Sequence, residues 1–186
     1  PRAYNTLELR LPTLQSTSPF GSCKAHQMDA KQAAKTLKAD LFYLDPPYNQ
    51  HKYLGNYHIW ESLVLWDKPD VYGVACKRMD VRERKSAFNS KPKALQAFSD
   101  LLDGIETRYL VVSFNDEGYI SRQQMETLLQ KHGSVLVLEN DFKRYVGAQI
   151  GIHNPKGERV GAVTHLRNVE YLYIVARKAE DLKSLL

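Results

Sequence analysis

Short apolar runs alternate along this chain with segments whose apolar residues recur at helical spacing, and that alternation limits the fold more than any other feature. The runs "DLFYL", "RYLVVSFN", "SVLVLEN" and "NVEYLYIVAR" are rich in β-branched and aromatic residues and have the length of strands. Between them lie the helical candidates "AKQAAKTLKA", "NYHIWESLVLW", "PKALQAFSDLLDGIE" and "SRQQMETLLQKHG". The third sets Leu95, Phe98, Leu101, Leu102 and Ile105 on one face, with Pro92 at its start. Ile59, Leu63 and Trp66 form a stripe on the second, and Gly133 closes the fourth. Two more strands are predicted in "YNTLELRL" and "CKAHQM". The Gly-dotted stretch "YVGAQIGIHNPKGERVGAVTH" reads as a hairpin or a mobile loop.

Strand-helix-strand alternation predicts an α/β fold: a Rossmann-like, mostly parallel sheet with helices on both faces. In such a sheet the ligand site lies beyond the carboxyl ends of the strands, and Asp29, Asp45 and Asn115 all stand at that edge. A length of 186 residues fits one domain with a real core. Apolar runs such as 171–176 are far too short to span a bilayer, so no membrane partner is expected. Cys23 and Cys76 lack metal-ligand spacing and read as free thiols in a cytoplasmic protein. His51, His58 and His165 share no ligand spacing either, so no metal site is expected. A net charge of +5 is too mild to argue for nucleic acid on its own. Its distribution says more: "KRMDVRERKSAFNSKPK" concentrates basic residues and reads either as a solvated loop or as a phosphate-contacting one.

The chemistry is concentrated where "DLFYL" runs into "DPPY". Two prolines in succession fix φ twice and remove two backbone donors, which leaves carbonyls free to accept. Asp45 places carboxylate oxygens beside them. Rigid paired acceptors suit a ligand with two N–H donors, such as the amino group of a base, and Tyr48 can offer its ring face to that base. Such an arrangement works by orientation rather than by a covalent nucleophile.

The tetrapeptide D-P-P-Y resembles the motif of amino-group methyltransferases that use S-adenosylmethionine. With "NQHKYLGNYHIWESLV", "KSAFNSK", "VVSFNDEG", "RYVGAQIGIH" and "HLRNVEYLYIV" in the same order, the chain from about Cys23 to Arg177 resembles the D12-class, or alpha-group, adenine-N6 DNA methyltransferases. The resemblance implies methyl transfer to adenine N6 in DNA, within a restriction-modification system. Asp45 and the Pro46 carbonyl would accept from the amino group, Pro47 would stiffen the turn, and Tyr48 would stack on the flipped base. Met28 and Asp29 would line the cofactor with Asp45, although Asp29 serves equally as a helix cap. Ser113, Phe114 and Asn115 would belong to the base pocket, with a core role open for Phe114. Lys52, Tyr53, Asn56 and Tyr57 would close over the nucleotide. Lys85, Asn89, Lys91, Arg144 and Arg167 would hold phosphates of double-stranded DNA, or remain surface charges.

The family also uses a Gly-rich loop of the F-x-G-x-G kind around the methionine end of the cofactor, and no G-x-G occurs here. The expectation is therefore that residues 1–22 are the tail of a target-recognition or linker region and that 23–186 form the C-terminal part of a catalytic domain whose first βα unit is missing. Expected partners are that missing segment or a complementary subunit, and a cognate restriction endonuclease. Two other readings stay open: an rRNA base amino-methyltransferase, and a non-catalytic nucleic-acid-binding half of a split enzyme.

Overall fold

The computed structural model describes residues 8, 10–13, 21–143, 152–153, 159–161 and 167–183. Most of "YNTLELRL", Arg144 and most of the Gly-dotted stretch lie outside them.

Asp29 starts the first helix, α1 (Ala30–Thr36), as expected: its Oδ1 accepts from the backbone N–H groups of Lys31 and Gln32 at 2.9 and 3.3 Å. The hinge strand β1 (Leu41–Leu44) follows. Next comes α2 (Tyr53–Leu65), three residues longer at its start than its periodicity suggested and broken by a non-helical Tyr57. A small unit follows, made of β2 (Val71–Tyr72), β3 (Lys77–Arg78), α3 (Asp80–Glu83) and a 3-10 turn at Ala87–Asn89. Then α4 (Lys91–Leu102), β4 (Tyr109–Asn115), α5 (Arg122–Leu129) and β5 (Ser134–Lys143) alternate. A short antiparallel pair, β6 (Ile152–His153) with β7 (Arg159–Gly161), agrees with the hairpin reading of its region. The chain ends in β8 (Arg167–Ala176) and α6 (Ala179–Lys183).

The α/β class is as expected, with a four-stranded sheet in the order β1-β4-β8-β5. Its make-up differs from the prediction. β1 and β4 are parallel, whereas β8 inserts antiparallel between β4 and β5. The reason lies in the connections. A helix-bearing crossover joins β1 to β4, whereas β5 and β8 pair antiparallel from Ser134↔Ala176 to Lys143↔Arg167.

Residue parity along the ladders assigns the two faces. One carries Leu110, Val112, Phe114, Tyr173 and Val175, which pack with Phe98, Leu101 and Leu102 of α4 and Met125, Leu128 and Leu129 of α5. Ala34 of α1 joins this cluster, so these three helices share one face rather than dividing between two. On the other face Leu41 and Tyr43 are half-exposed, at 50% and 57%. "DLFYL" is thus partly buried on one side through Phe42 and Leu44 and half-exposed on the other.

Three further expectations change. "CKAHQM" is not a strand: residues 23–28 are exposed and pair with nothing among the described residues. Leu95 is turned outward, while Ala94 and Ala97 are buried, Ala94 within the core cluster. The stripe of Ile59, Leu63 and Trp66 is exposed rather than buried. Among the described residues no helix is long and apolar enough to cross a membrane.

Candidate active site

β1 ends at Leu44, and the register Leu44↔Val112 carries Asp45 onto the level of Ser113. By the same alternation Ser113 of β4 and Glu170 of β8 point to that face, since Glu170 pairs with Asn115. Three polar side chains therefore converge at one corner of the sheet, and the Pro-Pro turn folds Tyr48 back among them.

The Tyr48 hydroxyl lies 2.9 Å from Asp45 Oδ1, 2.8 Å from Ser113 Oγ and 2.9 Å from Glu170 Oε1. Ser113 Oγ donates to the same Glu170 oxygen at 2.7 Å. Burial, above all, holds the Tyr48 phenol far above the ordinary tyrosine range; the neighbouring Glu170 and Asp45 carboxylates add to it and the Ser113 contact opposes it. Tyr48 is accordingly a neutral donor at any working pH. Its ring leans on Phe114, with centroids 4.7 Å apart and planes at 50°. Its carbonyl accepts from the Tyr119 N–H at 2.8 Å, which ties the hinge to the loop after β4.

The network uses one Asp45 oxygen. Among the described residues Oδ2 has no hydrogen-bond partner, and the Pro46 carbonyl accepts from no backbone N–H. Asp45 and Pro46 line a cavity of about 560 Å³ together with Pro47, Tyr48, Asn49, His51, Tyr53 and Asn56. A neighbouring cavity of about 460 Å³ shares Tyr53 and adds Gln27, Tyr57 and Trp60. Tyr53 and Tyr57 stack with centroids 4.4 Å apart and stand exposed at 73% and 45%. Exposed aromatic faces beside a polar hinge are what base stacking requires.

The structure sorts the other predicted residues. Met28 and Asp29 are exposed and line neither cavity, and Asp29 acts as the α1 cap through Oδ1. Phe114, at 2% exposure, is a core ring that supports Tyr48 from below. Asn115 accepts through its side chain from the Glu117 N–H and shapes the turn after β4. Lys52 donates to the carbonyls of Val81 and Arg84, both at 2.9 Å, and so fastens the α3 segment. Asn89 donates to the carbonyls of Asn49 and His51 at 2.7 and 3.2 Å, which fixes the chain leaving the hinge. Arg167 is paired with Asp141 on the adjacent strand. Lys85 and Lys91 are exposed, and Arg144 lies outside the described residues.

The basic segment is more built than a solvated loop. Arg78 is 5% exposed and donates to Asp67 through two nitrogens at 2.6 and 2.8 Å, with Ser62 and Asp80 alongside. Sequence reasoning missed Glu170 and Tyr119. For Glu170 a signal was there: one carboxylate inside the otherwise apolar run "VEYLYIVA" needs a partner.

A family model for the D12 class N6 adenine-specific DNA methyltransferases matches residues 2–128. The chain is 34% identical over 132 residues to the type II methyltransferase M.FokI of Planomicrobium okeanokoites, an alignment covering 71% of this chain and 20% of that protein. It is 33% identical over 147 residues to the modification methylase StsI of Streptococcus sanguinis, covering 77% and 22%. Against the type II methyltransferase M.NlaIII of Neisseria lactamica it is 28% identical over 144 residues, covering 77% and 42%. The chain thus spans about a fifth to two fifths of the length of these relatives. No solved structure matches it.

Proposed function

The chain belongs to the D12 class N6 adenine-specific DNA methyltransferases, and on that premise we propose that its hinge receives an adenine flipped out of double-stranded DNA and presents the N6 amino group to S-adenosylmethionine. The setting we infer is a cytoplasmic restriction-modification system, in keeping with the relatives' names. One observation carries the reading: among the described residues Asp45 Oδ2 and the Pro46 carbonyl have no hydrogen-bond partner, next to a tyrosine held by the Asp45-Ser113-Glu170 network. Two acceptors match the two N–H donors of an exocyclic amine. The N6 atom is paired inside a duplex, so the base must leave the stack to reach them.

Bound S-adenosylmethionine supplies an electrophilic methyl group. The chain supplies orientation and charge. Asp45 and the Pro46 carbonyl draw the amine hydrogens toward themselves and direct the nitrogen lone pair outward. Positive charge developing on the amine nitrogen would be stabilised by the Asp45 carboxylate, which would then take up the released amine proton. Tyr48 holds the base plane by stacking, and Tyr53, Tyr57 and Asn56 border the entrance. The carboxylates of Asp29 and Asp45 are of the right charge for a cofactor bearing an ammonium, ribose hydroxyls and a sulfonium, and the exposed Met28 side chain gives an apolar contact. These residues would hold the cofactor.

We also propose that a further polypeptide segment, upstream in the chain or on a complementary subunit, completes the domain. Among the described residues β1 is an edge strand, and its Leu41 and Tyr43 face outward half-exposed. A parallel strand is ordinarily covered on both faces. The test of the main reading is nucleoside analysis of DNA treated with the active protein. N6-methyladenine that disappears in Asp45→Ala supports it; methylation of the DNA confined to cytosine, or of rRNA guanine with none in DNA when rRNA is treated in parallel, rejects it.

A further inference from the structure

Four close oxygen contacts around Tyr48 share two hydroxyl protons, one from Tyr48 and one from Ser113. The shortest, 2.7 Å, runs from Ser113 Oγ to Glu170 Oε1, so the serine proton belongs to Glu170. The Ser113 oxygen then faces Tyr48 as an acceptor. The single Tyr48 proton is left with Asp45 Oδ1 and Glu170 Oε1 as rival carboxylate acceptors, each at 2.9 Å.

We propose that Glu170 is a positioning residue for methyl transfer, acting through Tyr48: it fixes the tyrosine ring under the base and serves as the second acceptor for the tyrosine proton. The proposal rests on the reading of the hinge given above. Before transfer Asp45 is ionised and takes the Tyr48 hydrogen bond on Oδ1, which sets its rotamer and aims Oδ2 at the amine. When the N6 proton arrives on Oδ2, Asp45 becomes a neutral acid and a weaker acceptor. The Tyr48 proton then turns to Glu170 without leaving the phenol oxygen. No atom is gained or lost: the amine proton resides on Asp45, and Tyr48 and Ser113 keep their own. The network thus absorbs the charge change at Asp45 while neither the half-buried Tyr48 hydroxyl nor the buried Ser113 hydroxyl loses its partner.

A double-mutant cycle tests this on an assembly that methylates DNA. Glu170→Ala should lower the single-turnover rate about tenfold, equivalent to ~1.4 kcal/mol of barrier, with KM for DNA nearly unchanged. Glu170→Gln keeps the Oε1 acceptor and should return the rate to within about threefold of wild type. In a Tyr48→Phe background, which has no hydroxyl to place, both substitutions should cost less than about twofold. If Glu170→Ala does not fold, the cycle is run with Glu170→Gln, whose smaller loss must likewise vanish in Tyr48→Phe. Equal losses in both backgrounds, or a loss confined to KM for DNA, would overturn the positioning role and leave the proposed reaction standing. Absence of N6-methyladenine in the wild-type assembly would overturn both.

Discussion

Gly118 lies against the Phe114 ring so closely that a Cβ at position 118 would enter the space of the ring's edge atoms. Phe114 in turn supports Tyr48 at a centroid distance of 4.7 Å. Glycine at 118 is thus a packing requirement, which reaches the hinge through one aromatic contact. Gly118→Ala should cost ~1–3 kcal/mol by overpacking and should lower activity more than its stability loss explains, because Phe114 must shift beneath Tyr48. Thermal melts and single-turnover rates measured together check this. An unchanged rate in a destabilised variant would mean that Phe114 moves without disturbing the tyrosine.

At the hinge, Asp45→Ala removes the acceptor that matters most as the amine becomes tetrahedral. Turnover should fall by about 10²–10³, the loss typical of one preorganised electrostatic partner, while DNA affinity persists. Tyr48→Phe keeps the stacking face but loses the hydroxyl that holds Asp45, so it should cost about tenfold, the same as Glu170→Ala. Tyr48→Ala also loses a base contact of roughly 1–3 kcal/mol and should cost more. Near-wild-type single-turnover rates in Asp45→Ala would refute the orientation mechanism.

How far these groups could be seen in the sequence depended on how local their causes are. "DLFYL" and "RYLVVSFN" declare themselves as strands, and Asp29 as a cap, because each signal lies within a few residues. The Asp-Pro-Pro-Tyr turn is legible for the same reason. Glu170 acts on Tyr48 from 122 positions away, and only the antiparallel register of β8 on β4 brings it there. Arg78 looked like one more basic residue of a loop until Asp67 closed on it. Leu95 and the Ile59-Leu63-Trp66 stripe show the converse. A helical period reports which residues share a face, but not whether anything covers that face.

Exposed lysines and structural ones should separate in salt titrations. If Lys85 and Lys91 meet phosphates, neutralising either should weaken binding to every sequence alike and lower the salt slope by roughly one counterion. Lys52 and Asn89 are engaged with backbone carbonyls, so Lys52→Met and Asn89→Ala should loosen the hinge exit instead, lowering turnover at an unchanged slope. Filter binding across salt concentrations, with and without the target sequence, distinguishes the two groups. A changed base preference in Lys85 or Lys91 variants would place those residues at base edges.

The Arg78 guanidinium, hydrogen-bonded through two nitrogens, holds the Asp67 carboxyl below its ordinary value of 3.8. The sign follows directly. A depressed carboxylate adds stability above the unfolded value, and that contribution is lost as pH falls through the lower folded value. The α2-β3 unit should therefore keep this anchor down to about pH 4 and release it only below. Both tryptophans of the chain, Trp60 and Trp66, lie on α2 or at its end, so their fluorescence reports on this unit. An acid titration should show a transition below pH 3.8. In Asp67→Asn that step should shrink and the unit be looser at neutral pH. The same acid transition in both proteins would assign it to another carboxylate.

The last prediction concerns the open side of the sheet. A cofactor as large as S-adenosylmethionine needs both walls of its cleft, and the residues offered here, Met28, Asp29 and Asp45, are exposed groups on one of them. A half-walled cleft leaves much of the ligand in water and forfeits most of the affinity that enclosure provides. The 186-residue chain alone should accordingly bind S-adenosylmethionine weakly and methylate nothing. A segment supplying the other wall, fused or added as a second chain, should restore both and should protect the β1 amides from hydrogen exchange, because a new strand would pair with that edge. Calorimetry and exchange on the chain with and without such a segment are the measurements. Micromolar binding with methyl transfer by the chain alone would show that the cleft closes within these residues, and the completion proposal would fall while the role of the hinge stood.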